Sequence, residues 1–176
     1  MSLSEQDISG STVSKSSKQY WGPRIWKMFH LLSEVSDRID ISLLWNNWIK
    51  QTVLIMPCEK CRKHLEQYLR TNPCIKHHNP LSMNGSQTKV YIRNELMQLH
   101  NAVNARLGKQ VCTYEEYVHI YMKDCTRESI LHEVHTLMGE LEQAFAPLEY
   151  IKANMHAYNC WKRTYTKLVS LLVVGS

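Results

Sequence analysis

The apolar residues of this chain recur every three or four positions nearly from end to end, and no segment shows the alternation a half-buried strand requires. That pattern predicts an all-α fold. Trp21-Gly22-Pro23 is a helix start, with Pro suited to a first turn, and Ile25, Trp26, Phe29, Leu32 and Val35 follow at helical spacing to about Arg38. Asp40 or Ser42 can cap a second helix that bears Leu43, Leu44, Trp48, Val53 and Ile55 and stops near Pro57. A third opens at Cys58 and carries Leu65, Tyr68 and Leu69 as far as Asn72-Pro73. Residues 71–87, rich in Asn, Pro, Ser and Gly, read as a long loop. A fourth helix runs from about Thr88 to Leu107 on a stripe of Val90, Leu96, Leu99, Val103 and Leu107, with Gly108 as its stop. Thr113 with Glu116 three residues on opens a short fifth. Short links between the early helices favour an antiparallel four-helix bundle with the fifth beside it.

Beyond Cys125, Ile130, Val134, Leu137, Leu141 and Phe145 form one stripe; Pro147 breaks it, and Leu148, Ile151, Met155, Tyr158, Tyr165 and Val169 resume one. This is a two-helix hairpin. Arg127 to Glu149 holds five Glu against one Arg, whereas Lys152, Lys162, Arg163 and Lys167 follow with no acid, so the arms are expected to pair with each other. The expected organisation is a disordered leader at 1–19, a core domain at 20–125 and a helical extension at 126–176.

At 44% hydrophobic residues the chain has material for a full core, and its net charge of +5 is offset locally by acids. Without a basic segment interleaved with aromatics, nucleic acid is excluded as a partner. No apolar run approaches the roughly 18 residues of a membrane span. The first twenty residues lack a secretory core and make a poor mitochondrial presequence, which points to an intracellular protein.

Six cysteines (58, 61, 74, 112, 125 and 160) in such a chain argue for redox or metal chemistry rather than a secreted disulfide scaffold. Cys58-Glu59-Lys60-Cys61 follows Pro57 at a helix start, where unpaired N–H groups and the helix dipole favour a thiolate, and two intervening residues bring the sulfurs close enough to bond. The same spacing also reads as half a zinc site: Cys58, Cys61, Cys74 and His77 are four possible ligands, with His64 or His78 as substitutes. Redox is favoured over a zinc-stabilised interaction module because residues 62–70 look helical and no glycine flanks either ligand pair. The second polar feature is His100-Asn101-Ala102-Val103-Asn104-Ala105-Arg106-Leu107-Gly108-Lys109, which sets His100, Asn104 and Leu107 on one helix face. Read from the residues alone, a ligand site and a solvated helix end are equally good accounts of it. Trp26 and His30, four apart on the first helix, carry the same ambiguity and, read alone, favour a buried core pair.

In order and spacing these pieces resemble the Erv/ALR family of FAD-linked sulfhydryl oxidases. Gly22-Pro23-Arg24-Ile25-Trp26-Lys27-Met28-Phe29-His30 looks like its G-x-x-x-W-x-x-x-H opening, Pro57-Cys58-Glu59-Lys60-Cys61 like its P-C-x-x-C, and residues 100–109 like its H-N-x-V-N-x-x-L-G-K. The resemblance implies a four-helix bundle with a short fifth helix, FAD as cofactor, protein dithiols as substrates and oxygen as acceptor, with hydrogen peroxide as product. It implies Cys58 as the sulfur that meets substrate and Cys61 as the flavin-facing one. It assigns FAD to Gly22, Arg24, Trp26, His30, His100, Asn101, Val103, Asn104, Leu107 and Lys109, and to no metal. A homodimer is implied too, the amphipathic hairpin offering the apolar surface.

The sequence also departs from the family's pattern. Met56 stands where a Tyr commonly precedes P-C-x-x-C, and Glu95 replaces a Trp five residues before His100; Tyr91, Tyr114, Tyr117 or Tyr121 would have to restore the aromatic lining, Tyr121 being the one assigned to FAD. Arg70 and Met97 stand where cellular members carry a clamping disulfide, leaving Cys112 and Cys125 as a candidate replacement pair. No second C-x-x-C exists to shuttle electrons, and isolated Cys74 and Cys160 are weak substitutes, so direct attack of substrate on Cys58 is expected. A divergent core with a private extension looks like an enzyme of a large DNA virus, with the host cytoplasm or the virion as its location and the mitochondrial intermembrane space as the alternative.

Overall fold

The computed structural model describes residues 13–75, 83–123 and 125–174, and among these there are helices but no strands. In chain order they are α1 (Lys18–Glu34), α2 (Ser42–Ile55), α3 (Glu59–Thr71), α4 (Gly85–Arg106), α5 (Tyr114–Tyr121), α6 (Arg127–Phe145), α7 (Glu149–Ala153) and α8 (Met155–Val174).

The all-α expectation holds, with several boundaries shifted by local chemistry. α1 begins at Lys18, inside the segment expected to be leader, and takes Pro23 into its second turn. It stops at Glu34 rather than Arg38, and Ser36 just beyond it turns its hydroxyl onto the Leu32 carbonyl and receives the Trp45 indole N–H at 2.9 Å. Neither Asp40 nor Ser42 caps α2: the cap position is Ile41, without a side-chain bond, while Asp40 is held by Arg38 at 2.8 Å. α4 starts three residues before Thr88, because Asn84 and Gln87 form a reciprocal capping box within the stretch read as loop. Gly85 is required there, since a Cβ would lie 1.9 Å from the Asp37 carbonyl oxygen. Thr113 and Glu116 cap α5 as expected.

The extension departs most from expectation. Its arms do not zip along each other; α6 lies along α1 and α8 along α2. Two of the α6 acids are matched to α1, through Arg24–Glu140 and Lys27–Glu133, both 2.6 Å, while Glu142 pairs with Lys162 of α8 at 2.9 Å. The reason is apolar area. Val134, Leu137, Leu141 and Phe145 from α6 and Trp161, Tyr165, Leu168 and Leu172 from α8 are buried in one cluster with Ile25, Phe29, Trp45 and Trp48 of the bundle. Burying aromatic and branched side chains on two broad helices outweighs a row of surface ion pairs, each worth about 1 kcal/mol or less. Trp161 also donates its indole N–H to the Thr52 hydroxyl at 3.0 Å, fixing the register of α8 on α2. Four positions of the expected stripes face solvent: Leu43, Val90, Leu107 and Met155. No described helix is long and apolar enough to cross a membrane.

Candidate active site

Cys58 is the N-cap of α3 and Cys61 lies in its first turn. The two are joined as a disulfide with their Cα atoms 5.2 Å apart, and the Cys61 N–H points at the Cys58 sulfur at 3.2 Å. A thiolate at Cys58 would keep that N–H as donor and face the positive end of the α3 dipole. Both sulfurs are half-buried, against the edge of the core. Glu59, Lys60 and Lys63 on the same turns are exposed, with Glu59 paired to Lys63.

Arg106 at the end of α4 meets His64 of α3 through Nη2 and Nδ1, which brings the end of the His100–Lys109 segment to the helix that carries the dithiol. The His64 pKa is lowered, by desolvation first and then by the charges of Arg106 and Lys60.

A wall of rings rises between α1, α4 and α5. The Trp26 and His100 rings are stacked with centroids 4.2 Å apart and planes 6° from parallel. His30 continues the wall, with its Nε2 2.8 Å from His100 Nδ1 and its ring 4.7 Å from that of Tyr121. Burial keeps both imidazoles neutral: His30 is lowered to about 3 by desolvation and by His100, and His100 to about 4 by desolvation and by Lys109. His30 Nδ1 is buried with no hydrogen-bond partner among the described residues. Behind the wall, Tyr117 donates to Glu34 at 2.9 Å, and Glu34 forms a buried two-bonded ion pair with Arg93. Burial, with the Glu34 charge, raises the Tyr117 pKa, so the phenol stays a donor.

The residues singled out in the sequence divide into three groups. Trp26, His30, His100 and Tyr121 come together in the wall, and Val103 packs against the hydrophobic core. Asn101 is committed elsewhere: its amide bonds both backbone groups of Cys112, at 2.8 and 2.9 Å, and so ties the 108–112 segment to α4. Lys109 is fastened within that segment, its N–H on the Asn104 carbonyl at 2.9 Å. Arg24 is turned to Glu140 and to the Tyr20 carbonyl and ring, while Leu107 is exposed and Gly22 lies with open space around its Cα.

Of the four remaining cysteines, Cys112 and Cys125 are separate thiols, so the replacement pair does not form. Each donates to a carbonyl one or two residues away, Cys112 to Thr113 and Cys125 to Lys123, which keeps both within their own loops. Cys74 is buried rather than presented on a loop, with its pKa pushed up to about 12 by burial and by Glu95. Such a thiol is inert to exchange. Glu95, which displaces an expected aromatic, accepts the N–H of Ile75, a residue held at φ 51°. Cys160 is half-buried on α8, near His156 and Arg163. Cys58 and Cys61, the first two ligands of the zinc reading, are bonded to each other; among the described residues no group of three metal-binding side chains forms, and His77 and His78 lie outside them. The sequence did not single out Glu34 or Arg93, whose spacing carries no motif; Tyr117 stood only as one tyrosine among four.

The wall fits a flat heteroaromatic cofactor in its chemistry: ring faces, neutral imidazoles and one buried nitrogen with no partner among the described residues. Residues 23–123 match the model of the Erv1 / Alr family. A "FAD-linked sulfhydryl oxidase" of African swine fever virus is 32% identical over 105 residues, covering 58% of this chain and 80% of the relative. That of a second isolate is 31% identical over 118 residues, covering 65% and 87%. A "putative FAD-linked sulfhydryl oxidase" of invertebrate iridescent virus 6 is 25% identical over 92 residues, covering 51% and 80%. No solved structure matches the chain.

Proposed function

Since this chain belongs to the Erv1 / Alr family, we propose that it oxidises protein dithiols through Cys58 and Cys61, with FAD as cofactor and oxygen as acceptor, giving hydrogen peroxide. The observation that carries the reading is the Cys58–Cys61 disulfide at the N-terminus of α3, joined to the end of α4 by His64 and Arg106.

A substrate thiolate attacks Cys58, the disulfide opens, and Cys61 leaves as a thiolate in the first turn of α3. A second substrate thiol then attacks the substrate sulfur of the mixed disulfide and releases Cys58, whose negative charge is met by the Cys61 N–H and the helix end. Substrate has lost two electrons and two protons; the electrons are on the Cys58–Cys61 pair, and the protons pass to solvent, from which the two thiolates can take them up. FAD, when bound, supplies the two-electron to oxygen chemistry that no side chain can provide. Trp26, His30, His100 and Tyr121 would hold its rings, Asn104 and Lys109 its polar parts, and Asn101 would act by fixing the segment that carries Lys109.

Buried Cys74 is unsuited to shuttling electrons, which supports direct attack on Cys58. A homodimer would have to form on a surface other than the hairpin's apolar face, which is covered by the chain's own bundle. The viral relatives support the cytoplasm of an infected cell, or the virion, as its place of action.

The purified protein should carry flavin absorbance and consume oxygen on a reduced dithiol substrate, with Cys58→Ser and Cys61→Ser each abolishing turnover. A colourless preparation holding stoichiometric zinc, or a Cys61→Ser variant with undiminished oxygen uptake, would overturn the reading.

A further inference from the structure

The turn that carries the dithiol is fastened by the extension. Arg62 directly follows Cys61, and its Nη1 donates to the Met56 carbonyl, so the guanidinium bridges back across residues 57–61, the whole dithiol turn, to the end of α2. The same guanidinium lies 4.0 Å from the ring centre of Tyr150 in α7. Tyr150 donates its hydroxyl to the Leu54 carbonyl, in the last turn of α2, at 2.6 Å. One side chain from beyond the family-matched residues thus holds both the helix that enters the redox turn and the cation that leaves it.

A guanidinium stacked on a ring and bonded to a carbonyl loses the rotamer freedom of a solvent-directed arginine. Its charge then stays next to the dithiol turn. Fixed positive charge favours thiolate over thiol, and stabilising the reduced, ionised pair makes the disulfide easier to reduce. We infer that Tyr150 is a positioning residue for the Cys58–Cys61 couple, holding Arg62 where it makes the disulfide a stronger oxidant of substrate thiols. This rests on the dithiol reading above and adds what the extension does for it.

The test is the equilibrium of the flavin-loaded full-length protein with glutathione in the absence of oxygen. Two glutathione thiols give two electrons and two protons to the Cys58–Cys61 disulfide, which opens to the dithiol as glutathione disulfide forms. The fraction reduced is read by trapping thiols and weighing the peptide that holds both cysteines, which separates them from Cys74, Cys112, Cys125 and Cys160. Tyr150→Leu should shift the constant toward the disulfide by about threefold to tenfold. Tyr150→Phe, which keeps the ring under Arg62 and loses the bond to Leu54, should shift it less. Arg62→Gln should shift it as Tyr150→Leu does, and Tyr150→Leu added to Arg62→Gln should shift it no further. The pH of half-maximal Cys58 alkylation should rise in the same order.

A Tyr150→Leu constant equal to that of the wild type overturns the proposal, as does a shift of the same size with and without Arg62. If Tyr150→Leu fails to fold, Tyr150→Phe and Arg62→Gln decide, and unchanged constants in both overturn it. A wild-type pair that never exchanges with glutathione overturns the dithiol reading itself; an exchanging wild type with unshifted variants overturns only the role of Tyr150.

Discussion

His30 Nε2 and His100 Nδ1 stand 2.8 Å apart, so one ring donates and the other accepts, and both stay neutral. The folded pKa values, about 3 for His30 and about 4 for His100, lie below the ordinary 6.5. Between those values the unfolded chain binds more protons than the folded one, so stability is full above about pH 6.5 and falls as pH drops toward 4. Thermal unfolding measured from pH 7.5 to 4.5 should show Tm falling through that window, with a shallower fall in His100→Gln. Parallel falls in the two proteins would show that the pair is not the source.

Arg93→Met should cost about 3–5 kcal/mol in urea unfolding, because it leaves the Glu34 carboxylate buried beside Tyr117 without its cation. The double variant Glu34→Leu/Arg93→Met should recover much of that loss. Additive losses in the cycle would show that the two side chains act independently.

Asn101→Ala removes both bonds to Cys112 and should cost about 1–3 kcal/mol while loosening the segment that holds Lys109. Amide exchange over residues 108–112 should accelerate and bound flavin per chain should fall. Unchanged exchange there would refute the tether.

Trp161→Ala should cost about 3–5 kcal/mol, since the indole fills the space between α8 and α2 and bonds Thr52. A chain ending after Lys123 should lose solubility, because the faces of α1 and α2 that α6 and α8 cover would meet water. A soluble, monomeric truncation with an unchanged Tm would show that the extension adds nothing to the fold.

Local chemistry was legible in the residues. The periodicity of Ile25, Phe29 and Leu32, the Thr113–Glu116 capping box and the placement of Cys58 at a helix start each depend on neighbours within a few positions, and each appears in the structure. The start of α4 was legible in principle, through Asn84 and Gln87, but stood among Pro, Ser and Gly that argued for loop. Long-range choices were not legible. Charge pattern paired the hairpin arms with each other, whereas the area offered by α1 and α2 drew them apart, and Glu133 and Glu140 then found Lys27 and Arg24. Cys74 read as a loop thiol because its spacing says nothing of what folds over it. The sequence by itself determined the helices, the dithiol and the polar face at His100. Only the tertiary structure decided that Asn101 holds a loop, that Arg93 neutralises Glu34 behind the ring wall, and that Tyr150 reaches Arg62, because each joins residues far apart in the chain whose meeting depends on how whole helices pack.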